Sequence, residues 1–481
     1  MDYSFMVESF KAVGLEIKTL RDSDWESYSS TYNKFVPSIP TVVIIPKDVP
    51  QVQLSVITAS KLGLKIQARS GGHSYASHSN GGWNGSAVID LRNFQDIVLN
   101  PSGIVRVGGG VRLGNLSSEI FRQGQRALAH GTCAAVGVGG HFTHGGFGLS
   151  SRAWGLAMHQ IVALDVVTAD GDIVEASEST HSDLFYAMRG AADSFGIAVG
   201  FHLRTQPAPR TVIKWAIDMS ASMANVDSAV EAFKNIQAFS LFSSAMSKDV
   251  GFVLFFDHDR FSVEGQYLKG EERFKSLVLP GLLAASPDRH KKYVIKNVDY
   301  MESLRLWAGG DLHVGTDYNE HHAFYAKSTP VPHPGLSSEA LTNFFTNLFR
   351  KGPTAPVNYF VGAQLWGGSE SRITGNPFIG NGPDDAFAHR DTMWMFQHYA
   401  TATDGDVFPQ EGVKFVESLQ ASLGSGFGAC NNYADPLLAP DTAQKMYYGN
   451  KLGRLKALKS KLDPRNVFAH PQSVSPNPFP P

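Results

Sequence analysis

The chain has 481 residues, of which 18% are charged and 43% hydrophobic, and 42 basic side chains nearly balance 44 acidic ones. This ordinary globular composition excludes an intrinsically disordered or fibrous protein. A formal net charge of −2 offers no electrostatic basis for binding nucleic acid or an anionic membrane. No apolar run approaches the roughly 20 residues of a membrane-spanning helix. Neither nucleic acid nor a membrane is therefore expected as a partner, and the length favours two lobes over one.

The compartment is left open by the sequence. The first residues, MDYSFMVESFKAVGLEI, lack the basic-then-apolar pattern of a secretory signal. Cys133 and Cys430 are the two cysteines, so at most one disulfide can form. Such low cysteine usage fits a cytosolic protein and equally a large secreted one.

The first part of the chain alternates regular elements with glycine-rich loops. Residues 41–70 predict strand, helix and strand, with Pro50 in the first turn of the helix and Gly63 after its end. The loop SGGHSYASHSNGGWNGS follows directly, and its glycines let backbone amides approach a ligand closely. IVRVGGG predicts a strand that ends at three glycines, and LGNLSSEIFRQGQ predicts a helix. Residues 130–156 then contain eight glycines, more than a purely structural loop needs.

The pattern of predicted elements changes towards the middle of the chain. IVALDVVTADGDIVEAS predicts a hairpin that turns at Asp170-Gly171, followed by a helix and a strand. After Pro207–Pro209, longer helical patterns such as VDSAVEAFKNIQAF dominate. We therefore predict a first domain over 1–206, a second over 207–440, and a C-terminal segment over 441–481 that returns to the first domain.

Two residues in the glycine-rich loops are candidates for chemistry. His73 in RSGGHSY is either a turn residue with local hydrogen bonds or part of a cradle for a phosphate or a ring. Cys133 is either a buried small hydrophobe or a reactive or modified thiol, and its glycine-rich context favours the second. His141 and His144 lack an acidic or cysteine partner at ligand spacing, so no metal is expected. The chain has no G-x-S-x-G elbow, and GVGGHF lacks the frame of a dinucleotide-binding fingerprint.

Later in the chain, aromatic and polar residues cluster. Tyr433 in CNNYADPLL is either a turn residue with a buried phenol or a general base. A phenol has a pKa near 10, so a base here must have a lowered pKa or must act in concert with hydride loss. Gln364-Leu-Trp366 and the stretch HRDTMWMFQ could each form a strand with one buried face. Together they could line a cleft with aromatic platforms and polar ends, as carbohydrate sites require.

RSGGHSY, with His73 sixty residues before the Cys133 of HGTCAAVGVGGHFTHGGFG, resembles the flavin-binding half of the vanillyl-alcohol-oxidase-type flavoproteins. More narrowly, the chain resembles the berberine-bridge-enzyme-like group and, within it, the fungal oligosaccharide oxidases. The resemblance extends to HRDTMWMFQHY, NNYADPLL and LDPRNVF. It implies a two-lobed α+β fold, with a PCMH-type FAD-binding domain and a substrate domain in which an antiparallel sheet is backed by helices.

The resemblance also implies a doubly attached FAD. His73 would bond the 8α-methyl group and Cys133 would bond ring carbon 6. Residues Ser70–Ser74 would cradle the pyrophosphate, Gly137–His141 and Gly145–Gly148 would wrap the ring and ribityl chain, and Ile197 and Val199 would lie near the adenine or the ring edge. The cofactor-binding residues are accordingly Arg69, Ser70, Gly71, Gly72, His73, Ser74, Cys133, Val136, Gly137, Gly139, Gly140, His141, Gly145, Gly146, Gly148, Ile197, Val199, Tyr433, Asn450 and Lys451.

The activity implied by the resemblance has two half-reactions. Tyr433 would take the proton of an anomeric hydroxyl while hydride leaves C1 for the flavin, giving a lactone. O2 would then be reduced to hydrogen peroxide, and Val136 matches the position that gates oxygen, where valine goes with oxidase behaviour. The substrate-side positions are Tyr75, Tyr325, Phe360, Gln364, Trp366 and Gln397.

Two departures from the family pattern bear on the substrate. Gln364 stands where the sugar oxidases have an aspartate that helps to activate the tyrosine, and an amide is a weaker helper. Lys451 stands where asparagine is usual in the motif that begins with Tyr447-Tyr448-Gly449. A hydrophobic alcohol or amine of secondary metabolism is therefore the alternative substrate, and a flavin-storing protein without turnover is a third hypothesis. We expect a small-molecule substrate and O2 as partners, a monomer, and secretion as in relatives.

Overall fold

The computed structural model describes residues 2–285, 292–318, 320–374, 384–403 and 407–477. The strands are β1 (Ile17–Lys18), β2 (Val42–Ile44), β3 (Ile66–Arg69), β4 (Ala87–Asp90), β5 (Ile97–Leu99), β6 (Ile104–Gly108), β7 (Arg126–Ala127), β8 (Ile161–Val167), β9 (Ile173–Ser177), β10 (Ile197–Arg204), β11 (Gln206–Pro207), β12 (Thr211–Asp218), β13 (Val250–Phe256), β14 (Phe261–Tyr267), β15 (Lys292–Asp299), β16 (Phe324–Pro332), β17 (Asn358–Leu365) and β18 (Thr392–Thr401). The helices are α1 (Tyr3–Lys11), α2 (Trp25–Ser29), α3 (Val49–Lys61), α4 (Leu113–Gly124), α5 (Val138–Thr143), α6 (Ser151–Trp154), α7 (Ser182–Ala191), α8 (Val226–Phe242), α9 (Glu271–Arg273), α10 (Leu279–Ala284), α11 (Tyr300–Ala308), α12 (Ser338–Lys351), α13 (Gln410–Ser422), α14 (Pro440–Tyr448) and α15 (Leu452–Leu462).

The N-terminal part contains a small, mostly parallel sheet. Its strand order is β1-β2-β4-β3, and β4 pairs in parallel with both β2 and β3. Helix α3 crosses from β2 to β3, and the Asp48 side chain caps it by accepting a hydrogen bond from the Gln51 amide. The strand–helix–strand prediction for residues 41–70 is confirmed. Because parallel strands all point the same way, the loop after β3, which carries His73, leaves the sheet at its carboxyl edge.

A second, antiparallel sheet has the order β5-β6-β10-β8-β9. The hairpin predicted from sequence is β8 with β9, in which Val167 pairs with Ile173. Residues of β10 and of the first sheet share one core, including Ile44, Ile66, Ile89 and Ile197. The two sheets thus form one unit, and both glycine-rich loops leave from it.

The third sheet is larger and entirely antiparallel, with the order β15-β12-β14-β13-β17-β18-β16. One face is covered by α8, α12 and α13, and its core includes Phe233, Phe344, Trp394 and Phe396. Side chains alternate along a strand, so Gln397 and Tyr399 face the opposite way, towards the first unit. The predicted α+β fold with an antiparallel sheet backed by helices is confirmed.

The C-terminal segment packs on the first unit. Lys459 and Asp463 form a fully buried ion pair at 2.6 Å, and the Lys459 ammonium also donates to the carbonyls of Ser194 and Phe468. Cys430 and Ala434 already belong to a core that contains Phe142 and Tyr186 of the first unit. The chain thus rejoins the first unit before residue 441, and the division into three segments stays a proposal. Among the residues described, none of the helices is both long and apolar enough to span a membrane.

Candidate active site

A cavity of about 460 Å³ lies between the two lobes. Its walls come from the loop after β3, the glycine-rich loop leading into α5, the start of β10, the inner face of β17 and β18, and the short helix Asn431–Tyr433. The fold therefore gathers six segments that are far apart in sequence around one space.

The two glycine-rich loops are in direct contact. A Cβ atom on Gly71 would lie 2.3 Å from the Gly137 nitrogen, and one on Gly137 would lie 2.1 Å from the Gly71 nitrogen. The Ser70 hydroxyl accepts a hydrogen bond from the Gly139 amide at 3.1 Å. Larger residues at Gly71 and Gly137 would push the loops apart. Glycine at these positions thus brings His73 and Cys133 into the wall of the same cavity.

The imidazole of His73 is neutral and lies between two phenol rings. Its centroid is 4.1 Å from that of Tyr32 and 6.0 Å from that of Tyr318, with near-parallel planes. Burial, followed by the nearby charges of Arg112 and His322, lowers the pKa of His73 to about 3. Its Nε2 atom is buried without a hydrogen-bond partner among the described residues. A neutral ring with an uncommitted nitrogen is what a nitrogen nucleophile requires.

Cys133 is exposed to the cavity and is a free thiol. The alternative of a buried small hydrophobe is therefore wrong for Cys133, whereas it describes Cys430. That second cysteine is fully buried, and burial raises the pKa of its thiol to about 11. Val136 is half-buried and lines the cavity three residues after Cys133.

Tyr433 lies in the cavity wall on the short helix Asn431–Tyr433. Its ring stacks on Tyr75 at 5.5 Å and meets the edge of Phe147 at 5.5 Å. Burial, and to a lesser extent the nearby Cys430 thiol, raises the pKa of Tyr433 above its usual range. The burial of Tyr433 thus does not favour a lowered pKa, the first of the two routes that the sequence left open for a tyrosine base. Proton removal in concert with hydride loss remains.

Most predicted site residues line this cavity. Those that do are Ser70, Gly71, Gly72, His73, Ser74, Tyr75, Cys133, Val136, Gly137, Gly139, Gly140, His141, Ile197, Phe360, Gln397 and Tyr433. Gly145, Gly146 and Gly148 lie just behind the wall, where the Gly146 amide donates to the Asn432 side-chain oxygen at 2.9 Å. This bond fixes the short helix that carries Tyr433.

Other predicted residues lie outside the cavity wall. The Tyr325 hydroxyl donates to the Asp435 carboxylate at 3.0 Å, Trp366 is buried between Phe147 and Phe387, and Val199 is buried in the core. Arg69 turns away to donate to the Tyr28 carbonyl and to pair with Asp90. Gln364 is half-buried on β17, on the same face as Phe360 but beyond the lining residues, and Asn450 and Lys451 lie near the surface before α15. Sequence motifs give proximity along the chain, and only packing decides which of these side chains reach the cavity.

Several lining residues were not identified from the sequence. Tyr399, Phe147, Asn432, His144 and Asp193 are among them. The Asp193 carboxylate accepts from His470 Nε2 at 3.0 Å and lies 3.1 Å from His144 Nε2, and His144 Nδ1 donates to the Gly140 carbonyl at 3.0 Å. Burial lowers the pKa of His144, but the neighbouring Asp193 charge outweighs this and raises it above its usual value. The His144–Asp193 pair could not be predicted from the sequence, because Asp193 lies 49 residues after His144.

A metal could be held by His78, Asp193 and His470, whose ligand atoms lie within 4.8 Å of one another. The rings of His78 and His470, however, stack with centroids 3.7 Å apart. Stacked imidazoles direct their nitrogen lone pairs side by side rather than at a common ion. The His470–Asp193 hydrogen bond and the stacking of His78 on His470 account for this cluster without a metal.

Comparisons with known proteins agree with this site. The description "FAD binding domain" matches residues 40–177, and "Berberine and berberine like" matches residues 431–475. The carbohydrate oxidase of Microdochium nivale is 33% identical over 97% of this chain and 94% of its own. The solved xylooligosaccharide oxidase from Myceliophthora thermophila C1, in complex with xylobiose, is 30% identical and has a TM-score of 0.92 over 98% of this chain and all of the other. Glucooligosaccharide oxidase from Acremonium strictum, with its 6-S-cysteinyl, 8α-N1-histidyl FAD, is 27% identical with a TM-score of 0.92, over 98% of this chain and all of the other.

The chain therefore belongs to the berberine-bridge-enzyme-like family of FAD-linked oxidases. FAD is its cofactor, as the sequence predicted. The residues present fit that group. Glycine at 71 and 137 lets the two loops meet at the cavity, and the unpartnered nitrogen of His73 and the cavity-facing thiol of Cys133 would suit a doubly attached flavin.

Proposed function

We propose that this protein oxidises the anomeric carbon of a reducing mono- or oligosaccharide to a lactone and reduces O2 to hydrogen peroxide, with FAD attached through both His73 and Cys133. The single observation that supports this most is the presence of His73, Cys133 and Tyr433 in the wall of one cavity. When bound, FAD supplies the hydride acceptor and the route for electrons to O2.

In this proposal Tyr433 removes the proton of the anomeric hydroxyl. Its raised pKa means that it carries its own proton near neutral pH. Tyr433 can therefore accept the substrate proton only if its own hydroxyl proton passes to a further acceptor, such as solvent in the cavity, as hydride leaves. Tyr433 is held for this by Tyr75 and Phe147 on its ring and by the Asn432–Gly146 hydrogen bond next to it.

The substrate side of the cavity carries aromatic platforms. The rings of Phe360 and Tyr399 stack at 5.3 Å across β17 and β18, and both line the cavity. A pyranose presents C–H groups on its faces, which pack on such rings, while its hydroxyl groups need polar partners. Gln397 and the tyrosine hydroxyls supply these. The relatives named for carbohydrate and xylooligosaccharide oxidation support this substrate class.

A substrate panel tests the proposal. Purified enzyme is offered glucose, xylose, xylobiose, cellobiose, chitobiose and longer oligomers, and hydrogen peroxide is measured together with the lactone or aldonic acid. Peroxide formation with at least one sugar is expected. Failure of every sugar to yield peroxide would remove the sugar assignment. The proposal also includes a monomer, checked by light scattering, and secretion, checked by finding the native protein in culture medium.

A hydrophobic alcohol or amine is the second candidate substrate, because of Gln364. An amide at this position carries no charge to draw the proton from Tyr433, and the cavity is lined by the aromatic rings of Phe147, Phe360 and Tyr399. Flavin bleaching by aromatic alcohols under anaerobic conditions, with none by sugars, would favour this candidate. Turnover of either class would exclude the third hypothesis, a flavin-storing protein.

A further inference from the structure

Arg112 connects the two loops that carry the proposed attachment residues. It lies between β6 and α4, and its Nη1 atom donates to the Gly71 carbonyl at 2.9 Å and to the Ala135 carbonyl at 2.5 Å. Gly71 is two residues before His73, and Ala135 is two residues after Cys133. One guanidinium nitrogen therefore ties together both loops next to their nucleophiles.

The backbone of Arg112 reinforces the same link. Arg112 forms an antiparallel bridge with Gly137, and the amides of Leu113 and Gly114 donate to the carbonyls of Val136 and Ala134. The Cys133 loop is thus paired through its backbone with residues 111–114. The Arg112 side chain then links this segment to the His73 loop through its bond to the Gly71 carbonyl.

Arg112 also acts on the His73 ring. Its Nη2 donates to the Tyr318 carbonyl at 3.3 Å, and its guanidinium carbon lies 5.1 Å from the centre of the Tyr318 ring, which stacks on His73. The Arg112 charge is the second cause, after burial, of the low pKa of His73, and His322 is the third. The aromatic rings stacked on His73 are those of Tyr32 and Tyr318.

Arg112 has no carboxylate partner among the residues described. Its side-chain bonds go to three carbonyl oxygens, while Asp90 is bonded instead by Arg69 and Arg92. A buried guanidinium that a fold does not neutralise directly costs free energy. A functional role of the Arg112 charge at the site would explain why the fold retains it despite this cost.

We propose that Arg112 is the positioning residue for double attachment of the flavin. It holds the His73 and Cys133 loops at a fixed separation and adds its charge to burial in favouring the neutral imidazole, so that both nucleophiles meet one ring system. Each attachment exchanges a flavin C–H and the N–H or S–H of the side chain for a C–N or C–S bond, and the two hydrogens released, with their electrons, convert O2 to hydrogen peroxide. This inference rests on the double attachment proposed above and adds the residue that brings it about.

Three variants test the inference: R112M removes charge and donors at similar length, R112K keeps the charge, and R122Q removes an exposed arginine from α4, the helix that follows Arg112. Each protein is digested, and the flavin-bearing peptides around His73 and Cys133 are quantified by mass, with absorption spectra of the folded proteins and circular dichroism as the check on folding. In R112M we expect the share of chains with both bonds to fall about tenfold or more, because small displacements of reacting groups carry large rate penalties. R112K should recover a substantial part of that share, and R122Q should match the parent protein.

The outcomes separate this inference from the proposal on which it rests. If the parent protein lacks either flavin peptide, the double attachment itself is wrong. If the parent carries both bonds and folded R112M carries them equally, only the role of Arg112 is overturned. Equal loss in R112M and R112K would also overturn the electrostatic part of that role. If R112M yields no folded protein, R112K decides alone, and full double attachment in it with an unchanged rate of flavin incorporation would contradict the fixed geometry.

Discussion

The ring of Tyr433 lies against the ring of Tyr75, with centroids 5.5 Å apart and planes inclined by 28°. The Tyr75 hydroxyl accepts a hydrogen bond from the Gln397 amide at 3.2 Å, so its own hydrogen remains available to a substrate oxygen. Tyr75 comes from the first glycine-rich loop, Gln397 from β18 and Tyr433 from the segment after α13. The groups that would meet a substrate hydroxyl are therefore supplied by both lobes.

Removing the Tyr433 hydroxyl tests its role as base. Y433F should keep its flavin and its fold, because the ring contacts with Tyr75 and Phe147 remain. Its rate of anaerobic flavin reduction should fall by about 10²–10⁴-fold, the usual contribution of a positioned proton acceptor. Stopped-flow reduction by the best substrate measures this, and Y293F, at an exposed tyrosine on β15, is the control. A rate within about threefold of the parent would place the base elsewhere.

Removing the His73 imidazole tests the two attachments separately. H73A should retain flavin through Cys133, whose thiol faces the cavity independently of His73. Its flavin potential should be lower and its reduction slower, because an electron-withdrawing substituent on the ring is lost. Acid precipitation followed by mass analysis of the flavin peptide is the measurement, with H313A, at an exposed histidine, as control. Complete release of flavin into the acid supernatant would contradict a bond to Cys133.

Tyr325 should matter for stability rather than for substrate binding. Its hydroxyl donates to Asp435, which also pairs with Lys327 at 2.6 Å and begins the turn after Tyr433. Y325F should lower the free energy of unfolding by about 1.5–3 kcal/mol, the usual worth of a hydrogen bond to a charged group. Urea denaturation measures this, and KM for the best substrate should stay unchanged. Y359F is the matched control, because the Tyr359 hydroxyl has no hydrogen-bond partner among the described residues. An altered KM in Y325F with unchanged stability would instead show that Tyr325 contacts the substrate.

His398 should make stability depend on pH. It is fully buried on β18 against Phe344 and Phe396, neither of its nitrogens has a partner among the described residues, and burial lowers its pKa to about 3. Below the unfolded pKa of about 6.5 the unfolded chain binds a proton that the folded chain does not, so stability falls as pH decreases from about 6.5 towards 3.

H398L removes that titration. The variant should be more stable than the parent at pH 8, because an unpartnered buried polar group is gone, and its advantage should grow by about 2 kcal/mol at pH 5. Urea denaturation at the two pH values measures the difference, and H313L serves as the control at an exposed position. An equal advantage at both pH values would show that His398 is not held neutral in the folded state.

The sequence determined much of this protein without help from the structure. Alternation and turn residues were enough for β2–α3–β3 and for the β8–β9 hairpin, because these elements are formed by neighbours along the chain. The glycine-rich contexts of His73 and Cys133 indicated a cofactor cradle, since glycine at such density is a local signal of close backbone approach.

Only the tertiary structure decided which side chains share the cavity. Tyr325 and Trp366 match substrate-side positions in sequence, yet one bonds Asp435 and the other is buried against Phe147. Asp193 and Arg112 could not be recognised from their neighbours in sequence. Asp193 lies 49 residues from its partner His144, and Arg112 lies 41 residues from Gly71 and 23 from Ala135. These pairs come together only when loops and sheets pack. The raised pKa of Tyr433 has the same origin: a phenol's acidity is set by the groups that exclude water from it, and those come from three distant parts of the chain.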